Sequence, residues 1–404
     1  MTDLGDQAAL PLPGEGEDPL VEGDEYATAY GETLAETLDL DSWEAGFDLE
    51  ALYGRVEAEI GPAIEQERRI QDTVRRELFP LLARAHDAPP EAGVHSAGLA
   101  DLEDVTRKVL FSGELETCDG TTSTHDTLLV TVTQIGICLI SYQGHELALS
   151  QRLFRRDLRV SSHDPLDEVR AILERRQTRA ATGVNDRRDT LSELGRRGIM
   201  SYAERATLLD RSHAAWRMGH GNPVPYELLT GSGSMELLAA SLAVLRRLVD
   251  YQQWVFVPSA LKDRVLLTLG AALRPLEYAV VRSAESTLAR IVEGGHYGGE
   301  WHQEAKRFVE QIGPKIAVGI YRAGPHSPAT PFFGHVERIH EAAHVAMADS
   351  LLQEYRGFPL SIDLADAACQ AVFGGAAFDD AVTAAYQIKG EPVRYLSERQ
   401  TRTR

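Results

Sequence analysis

The chain reads as an α/β protein: a mixed sheet with flanking helices, an N-terminal helical arm and a C-terminal helical extension. Three observations predict this. Thr127–Ser141 and Trp254–Val257 are apolar and β-branched or aromatic, the composition of strands. Segments with a helical apolar period, such as Asp189–Trp216 and Met235–Val249, lie between and beyond such runs. Breaks rich in Gly, Pro and Asn, such as Gly219–Pro225, separate the two kinds of segment.

Taken in order, residues 1–26 are acidic and poor in apolar side chains, which predicts a disordered tail. Residues 27–98 form a helical arm and linker. Leu52, Val56, Ile60 and Ile64 share one helical face, continued by Ile70, Val74 and Leu78, and Pro62 kinks or divides the arm. Such an arm suits dimerisation or partner docking. His86–Gly98, with Pro89-Pro90, reads as the linker.

Residues 99–404 form the main domain. It is organised around Lys108–Tyr142, where a strand near Val109, Phe111 and Leu115 ends in Asp119-Gly120. Thr121–Asp126 reads as a polar turn before the long Thr127–Ser141 strand. Leu147–Leu149 and Leu158–Val160 supply a third strand. Helices follow over Asp164–Leu173 and Asp189–Trp216, then a short strand over Tyr226–Thr230. Gly231–Ser234 leads into the helix Met235–Val249, with Ser234 as its N-cap. After the Trp254–Val257 strand come helices over Leu261–Leu273, Ser283–Val292 and Glu304–Ile312. Lys315–Tyr321 is a strand, Arg338–Tyr355 a helix, Phe358–Ile362 extended and Asp363–Phe373 helical.

Composition narrows the function classes. The sequence of 404 residues has no apolar run near the ~20 needed to span a bilayer. Its N-terminus has neither the basic nor the apolar region of a secretion signal, so a cytoplasmic protein is expected. Cys118, Cys138 and Cys369 are too dispersed for a zinc ribbon or a disulfide framework. The net charge of −20 is uneven: no Lys or Arg precedes Arg55, whereas arginine pairs recur between Gln151 and Arg217. Those arginines are either solvated faces or a basic groove. Screening over ~8–10 Å lets an acidic arm coexist with such a groove.

Three constellations could carry chemistry. Gly231-Ser-Gly-Ser234 lacks the remaining glycines and the lysine of a phosphate loop. His340-Glu341-Ala-Ala-His344 has the HExxH spacing that puts two imidazoles on one helix face for zinc, with no recognisable third ligand. The third is a dispersed set of acids: Asp119, Glu204, Glu227, Asp363 and Asp366. Two-metal phosphodiester hydrolysis needs three or four such carboxylates around Mg²⁺ or Mn²⁺, which prefer hard oxygen ligands. Asp119 alone is read equally well as a turn cap.

The sequence between Val109 and Asp366 resembles the NurA family of DNA-end-processing nucleases. The family pairs an early strand ending in Asp-Gly with a helical Glu, a second strand-terminal Asp-Gly and a late G-Y-P-x-P-L-x-x-A-H segment. Asp119-Gly120 matches the first, Glu204 in SYAERATLLD the second, and Gly357-Phe-Pro-Leu-Ser-Ile-Asp-Leu-Ala-Asp366 the last. The second Asp-Gly is Thr230-Gly231 here, and the late histidine falls on Asp366. On a strand, Glu227 would point away from the Thr230 face unless a bulge intervened.

The resemblance implies a ribonuclease-H-like core and Mn²⁺- or Mg²⁺-dependent DNA cleavage, in end processing or phage defence. It also implies a homodimer docked on a HerA-like hexameric ATPase. By this resemblance Asp119 and Glu204 are the leading metal ligands, Asp363 and Asp366 further ones, Glu227 a substitute acid and His340 a possible acid or phosphate contact. The alternatives are an HExxH zinc metalloprotease and a catalytically degenerate nuclease acting as a scaffold.

Overall fold

A computed structural model describes residues 23–43, 48–126, 130–144, 148–157, 193–260, 263–294 and 299–393. The chain forms two compact units, Met1–Leu78 and Phe79–Arg404. The first contains helices Gly23–Tyr30, Leu34–Leu38 and Leu49–Thr73. Thr33 and Glu36 form a capping box on the second of these, and Asp48 caps the third through the backbone N–H groups of Glu50 and Ala51. The third helix runs on through Pro62, so the proline does not divide it. The expected apolar face exists, and Leu52, Val56, Ile60 and Ile64 on it are exposed.

Among the described residues, the second unit is built on a nine-stranded sheet of order β1-β7-β8-β9-β6-β5-β2-β3-β4. The strands are β1 Gly93–Ser96, β2 Leu115–Asp126, β3 Val130–Ile140, β4 Ala148–Asp157, β5 Trp216–His220, β6 Trp254–Val257, β7 Glu277–Ser283, β8 Ile316–Arg322 and β9 Thr330–His335. β2, β3 and β4 form an antiparallel meander, and β5 and β6 add parallel strands on the other side of β2. That arrangement is the ribonuclease-H-like order. β9, β8, β7 and β1 extend it antiparallel.

Several elements differ from the sequence expectation, each for a local reason. Thr106–Leu110, expected to open a strand, is a π-helical turn continuing the helix Leu99–Val105. Thr121–Asp126 is not a turn but the outer half of β2. Its polar side chains find partners in the helices Leu360–Phe373 and Gly375–Ile388 that cover it: Thr121 with Gln370, Ser123 with the Phe373 carbonyl, His125 with Asp379. His86–Gly98 is not a free linker, because β1 within it pairs with β7. Tyr226–Leu229 is a helical turn rather than a strand.

The Asp189–Trp216 expectation resolves into a helix over Glu193–Asp210 and the strand β5. Ser234 does cap its helix, accepting from the Leu237 N–H. The expected Leu158–Val160 strand and Asp164–Leu173 helix lie outside the described residues.

The core fills with Met218, Val255, Val257, Tyr278, Phe332 and the helix Ile339–Leu351. That helix is buried on most of its circumference, which its alanine-rich sequence permits, with Asp349 and Ser350 hydrogen-bonded where they are buried. The helix Leu360–Phe373 lies so close to β3 that a Cβ on Gly136 would meet the Phe373 ring at 2.2 Å. Glycine is therefore required there for the helix to seat.

Candidate active site

The sheet leaves a crevice where the lengths of β2 and β5 differ. β5 pairs with β2 only over Leu115–Cys118, and β2 then continues alone on that side. Asp119 is the first residue past this pairing. It lies in mid-strand, not at a strand end as expected, yet still at the carboxyl end of its parallel neighbour, where open α/β sheets form their binding crevices.

Strand alternation then sorts the side chains. Thr117, Thr121, Ser123 and His125 all reach partners on the helices Leu360–Phe373 and Gly375–Ile388, so Asp119 belongs to that face. Gly120 faces the helix Glu193–Asp210. A Cβ there would come within 2.7 Å of Glu204 Oε1 and 2.9 Å of Met200. The absent side chain lets Glu204 reach the strand beside Asp119.

The result is a cavity of about 510 Å³ lined by all five sequence-nominated acids: Asp119, Glu204, Glu227, Asp363 and Asp366. Three basic side chains also line it: Arg205, His220 and Arg356. Because residues 226–229 are helical, the strand argument that turned Glu227 away does not apply. Thr230, in the place of the family's second acid, donates from Oγ1 to the Tyr226 carbonyl at 2.8 Å and is buried.

Glu204 is buried and pairs with Arg205 Nη1 at 2.7 Å. Burial pushes its carboxyl up to about 7; Asp119 adds to the rise, while Arg205 and His220 oppose it. Arg205 is itself 1 % exposed, and its guanidinium donates to the carbonyls of Ser201, Asn222 and Pro223. It therefore fixes Glu204 and ties the Glu193–Asp210 helix to the loop after β5.

Asp119 Oδ1 accepts from the Gly120 N–H at 2.8 Å and lies 3.4 Å from His220 Nδ1. Burial alone would lower the His220 pKa. The hydrogen bond and charge of Asp119, with Glu204 and Asp366 behind it, raise it in net above the usual value.

On the far wall, Asp363 Oδ2 accepts from Gln353 Nε2 at 2.6 Å and from Arg356 Nη1. The helix bearing Asp363 and Asp366 is held by a buried network at its first turn. Thr117 Oγ1 donates to Ser361 Oγ at 2.7 Å, and Ser361 Oγ and N donate to Asp349 Oδ2 at 2.6 and 3.1 Å. Tyr142 OH donates to the other carboxylate oxygen of Asp349.

His340 is not among the residues lining this cavity. Its Nδ1 meets Tyr278 OH at 2.7 Å and its Nε2 meets Glu91 Oε2 at 3.1 Å, so both ring nitrogens are engaged. The structure thus places His340 apart from the acids beside which it was expected to serve as an acid or phosphate contact. His344 sits edge-on to the same Tyr278 ring. Among the described residues, no three His, Cys, Asp or Glu side chains form a ready-made metal cage, at this helix or elsewhere.

Sequence reasoning missed His220, Arg205 and Arg356. The signal for His220 was Trp-Arg-Met-Gly-His ahead of Gly-Asn-Pro, a strand-then-turn pattern split between the helix expected to end at Trp216 and the break expected over Gly219–Pro225. Arg205 is the immediate neighbour of Glu204, and Arg356 immediately precedes the Gly357 motif.

No protein-family model matches the chain, and no curated protein matches it. The chain is similar to NurA nucleases of known structure. One is the NurA nuclease from Sulfolobus solfataricus, at 8% identity over 83% of this chain and 98% of that one, with a TM-score of 0.43. Another is NurA with manganese, at 8% identity over 82% of this chain and 98% of that one, with a TM-score of 0.38. Endonuclease V from Bacillus subtilis aligns over 73% of this chain and 88% of its own, at 10% identity and a TM-score of 0.30.

The cavity's donor set fits a hard divalent cation. Its candidate ligands are carboxylate oxygens, and Asp119 lies close enough to Glu204 to disfavour the charge on Glu204. Asp119, Glu204 and Asp366 are the sequence-nominated acids that could turn to such an ion; among the described residues no three of them stand as a cage, and Asp363 is held by Arg356.

Proposed function

We propose that the protein is a divalent-metal-dependent deoxyribonuclease of NurA type. The observation that carries this reading is the meeting of acids from β2, the Glu193–Asp210 helix, the 226–229 turn and the Leu360–Phe373 helix in one cavity. Acids so far apart in sequence rarely converge without a cation to hold, because each buried carboxylate costs solvation. When bound, Mn²⁺ or Mg²⁺ supplies a hydroxide near neutral pH and neutralises charge on the phosphate.

The protein's own groups provide the rest. Asp119 and Glu204 would hold the ion from opposite faces of the sheet, and Arg205 holds Glu204 in place. His220, biased towards its protonated form by Asp119, is the candidate donor to the leaving oxygen. Glu227 supplies the acid that Thr230 lacks. Homodimerisation, docking on a HerA-like hexameric ATPase, and a role in DNA-end processing or phage defence belong to the same proposal and rest on the sequence resemblance. The zinc-protease alternative is disfavoured because both His340 nitrogens already have partners.

The test is degradation of linear DNA in Mn²⁺ by Asp119→Ala. A loss of at least about 10³-fold is expected, since metal-borne charge stabilisation amounts to several kcal/mol, with the melting temperature retained. Undiminished cleavage overturns the reading. A wild-type protein inert in Mn²⁺ and Mg²⁺ but able to bind a HerA-like ATPase would favour the scaffold alternative.

A further inference from the structure

The turn entering the late helix carries an aromatic surface that the proposed chemistry leaves unused. Tyr355 is 79% exposed, and its ring stacks on His326 with centroids 5.6 Å apart and planes 16° apart. The backbone beneath is anchored. Ser327 Oγ donates to the Glu354 carbonyl at 2.5 Å, Thr330 Oγ1 to the Gly357 carbonyl at 2.8 Å, and Gln353 Nε2 to the Phe358 carbonyl at 2.8 Å. Gly357 holds a φ of +60° and has no room for a Cβ, which would meet Ser327 at 2.7 Å. The platform is thus set before any ligand arrives, which lowers the entropic cost of binding.

The next residue, Arg356, lines the acid-rich cavity with a side chain 63% exposed. Arg205 is buried and saturated by its carbonyl partners, whereas Arg356 spends one nitrogen on Asp363 and keeps the rest of an exposed guanidinium for an incoming anion. Tyr355 and Arg356 are consecutive in the same anchored turn, and an exposed aromatic ring one residue before a cavity-lining guanidinium suits one nucleotide of a single strand: base on the ring, phosphate on the cation.

We propose that Tyr355, backed by His326, stacks an unpaired base next to the scissile phosphate, and that Arg356 contacts the adjoining phosphate. This rests on the nuclease reading and deepens it: the substrate class is a single-stranded or frayed DNA end. A blunt, fully paired end presents no free base face to Tyr355.

The test uses the full-length protein in Ca²⁺, with an oligodeoxynucleotide carrying 2-aminopurine in a single-stranded end and a blunt duplex for comparison. Wild type should quench the 2-aminopurine. Tyr355→Ala should weaken single-strand binding by about 5- to 150-fold, the span of one base–aromatic stack, with a smaller loss on the duplex. Tyr355→Trp should restore both binding and quenching.

Wild-type-like quenching and affinity in Tyr355→Ala, with Mn²⁺-dependent cleavage intact, overturn the platform and leave the nuclease reading standing. Equal losses on both substrates together with a lowered melting temperature assign Tyr355 a structural role and also overturn it. Wild type that neither binds nor cuts DNA overturns the nuclease reading and the platform with it.

Discussion

The acid-lined cavity and the histidine-bearing helix Ile339–Leu351 each began as a pattern of residues able to bind metal, and the fold treats them in opposite ways. In the cavity, charges accumulate beyond what their partners offset. Glu204 is buried against Asp119, and its carboxyl holds a proton up to about pH 7. At the helix, His340 lies between Tyr278 and Glu91, and burial lowers the His344 pKa. A tight sequence motif can thus end as satisfied packing, while dispersed acids with no motif spacing become the reactive-looking site. What separates them is whether polar atoms are left with unmet demand.

The sharpest way to break that contrast is Arg205→Ala. Removing a buried guanidinium leaves Glu204 and three carbonyls unpaired, which should cost about 3–5 kcal/mol, read by urea unfolding. A loss below about 1 kcal/mol would mean Glu204 does not depend on Arg205.

Next is pH. The unfolded Glu204 ionises near 4.5 and the folded one near 7, so the native state holds the extra proton between these values. Its contribution to stability is full below pH 4.5 and lost as pH rises through about 7, at most roughly 3 kcal/mol. Asp349, raised by burial, acts with the same sign. Calorimetry without metal should therefore show a falling melting temperature from pH 5 to pH 8. Mn²⁺ should raise it more at pH 8 than at pH 5, because ion and proton compete for the same oxygens. Equal metal shifts at both values would separate Glu204 from the ion.

Asp349→Asn probes the support beneath the late helix. It replaces an acceptor oxygen of a fully buried carboxylate that takes three hydrogen bonds, and should cost about 1–3 kcal/mol together with a drop in kcat. Unchanged kcat would show that the helix holds Asp363 and Asp366 in place without that network.

The smallest effect is expected for His340→Ala: nuclease rates within about two-fold of wild type, about 0.4 kcal/mol, and no zinc in the purified protein by elemental analysis. Stoichiometric zinc lost in this variant would reverse the comparison between the two regions.

The sequence alone determined the α/β class, the Trp254–Val257 strand and the Ser234 cap, because these rest on local composition and short motifs; it also nominated, from element ends and the family resemblance, the five acids that line the cavity. It did not determine where β2 ends. The hydroxyls of Thr121 and Ser123 look like turn chemistry until helices more than two hundred residues later supply their partners. β5 was lost for a related reason: Arg217 lies among buried residues through a stack on Tyr251 at 3.5 Å, a contact no window of neighbouring residues contains.

The cavity itself belongs to the tertiary structure. Carboxylates from both faces of a sheet meet only because β2 outruns β5 and because Gly120 leaves space beside Asp119. Strand length and the volume of an absent side chain are settled by packing between distant segments, which no local pattern in the chain encodes.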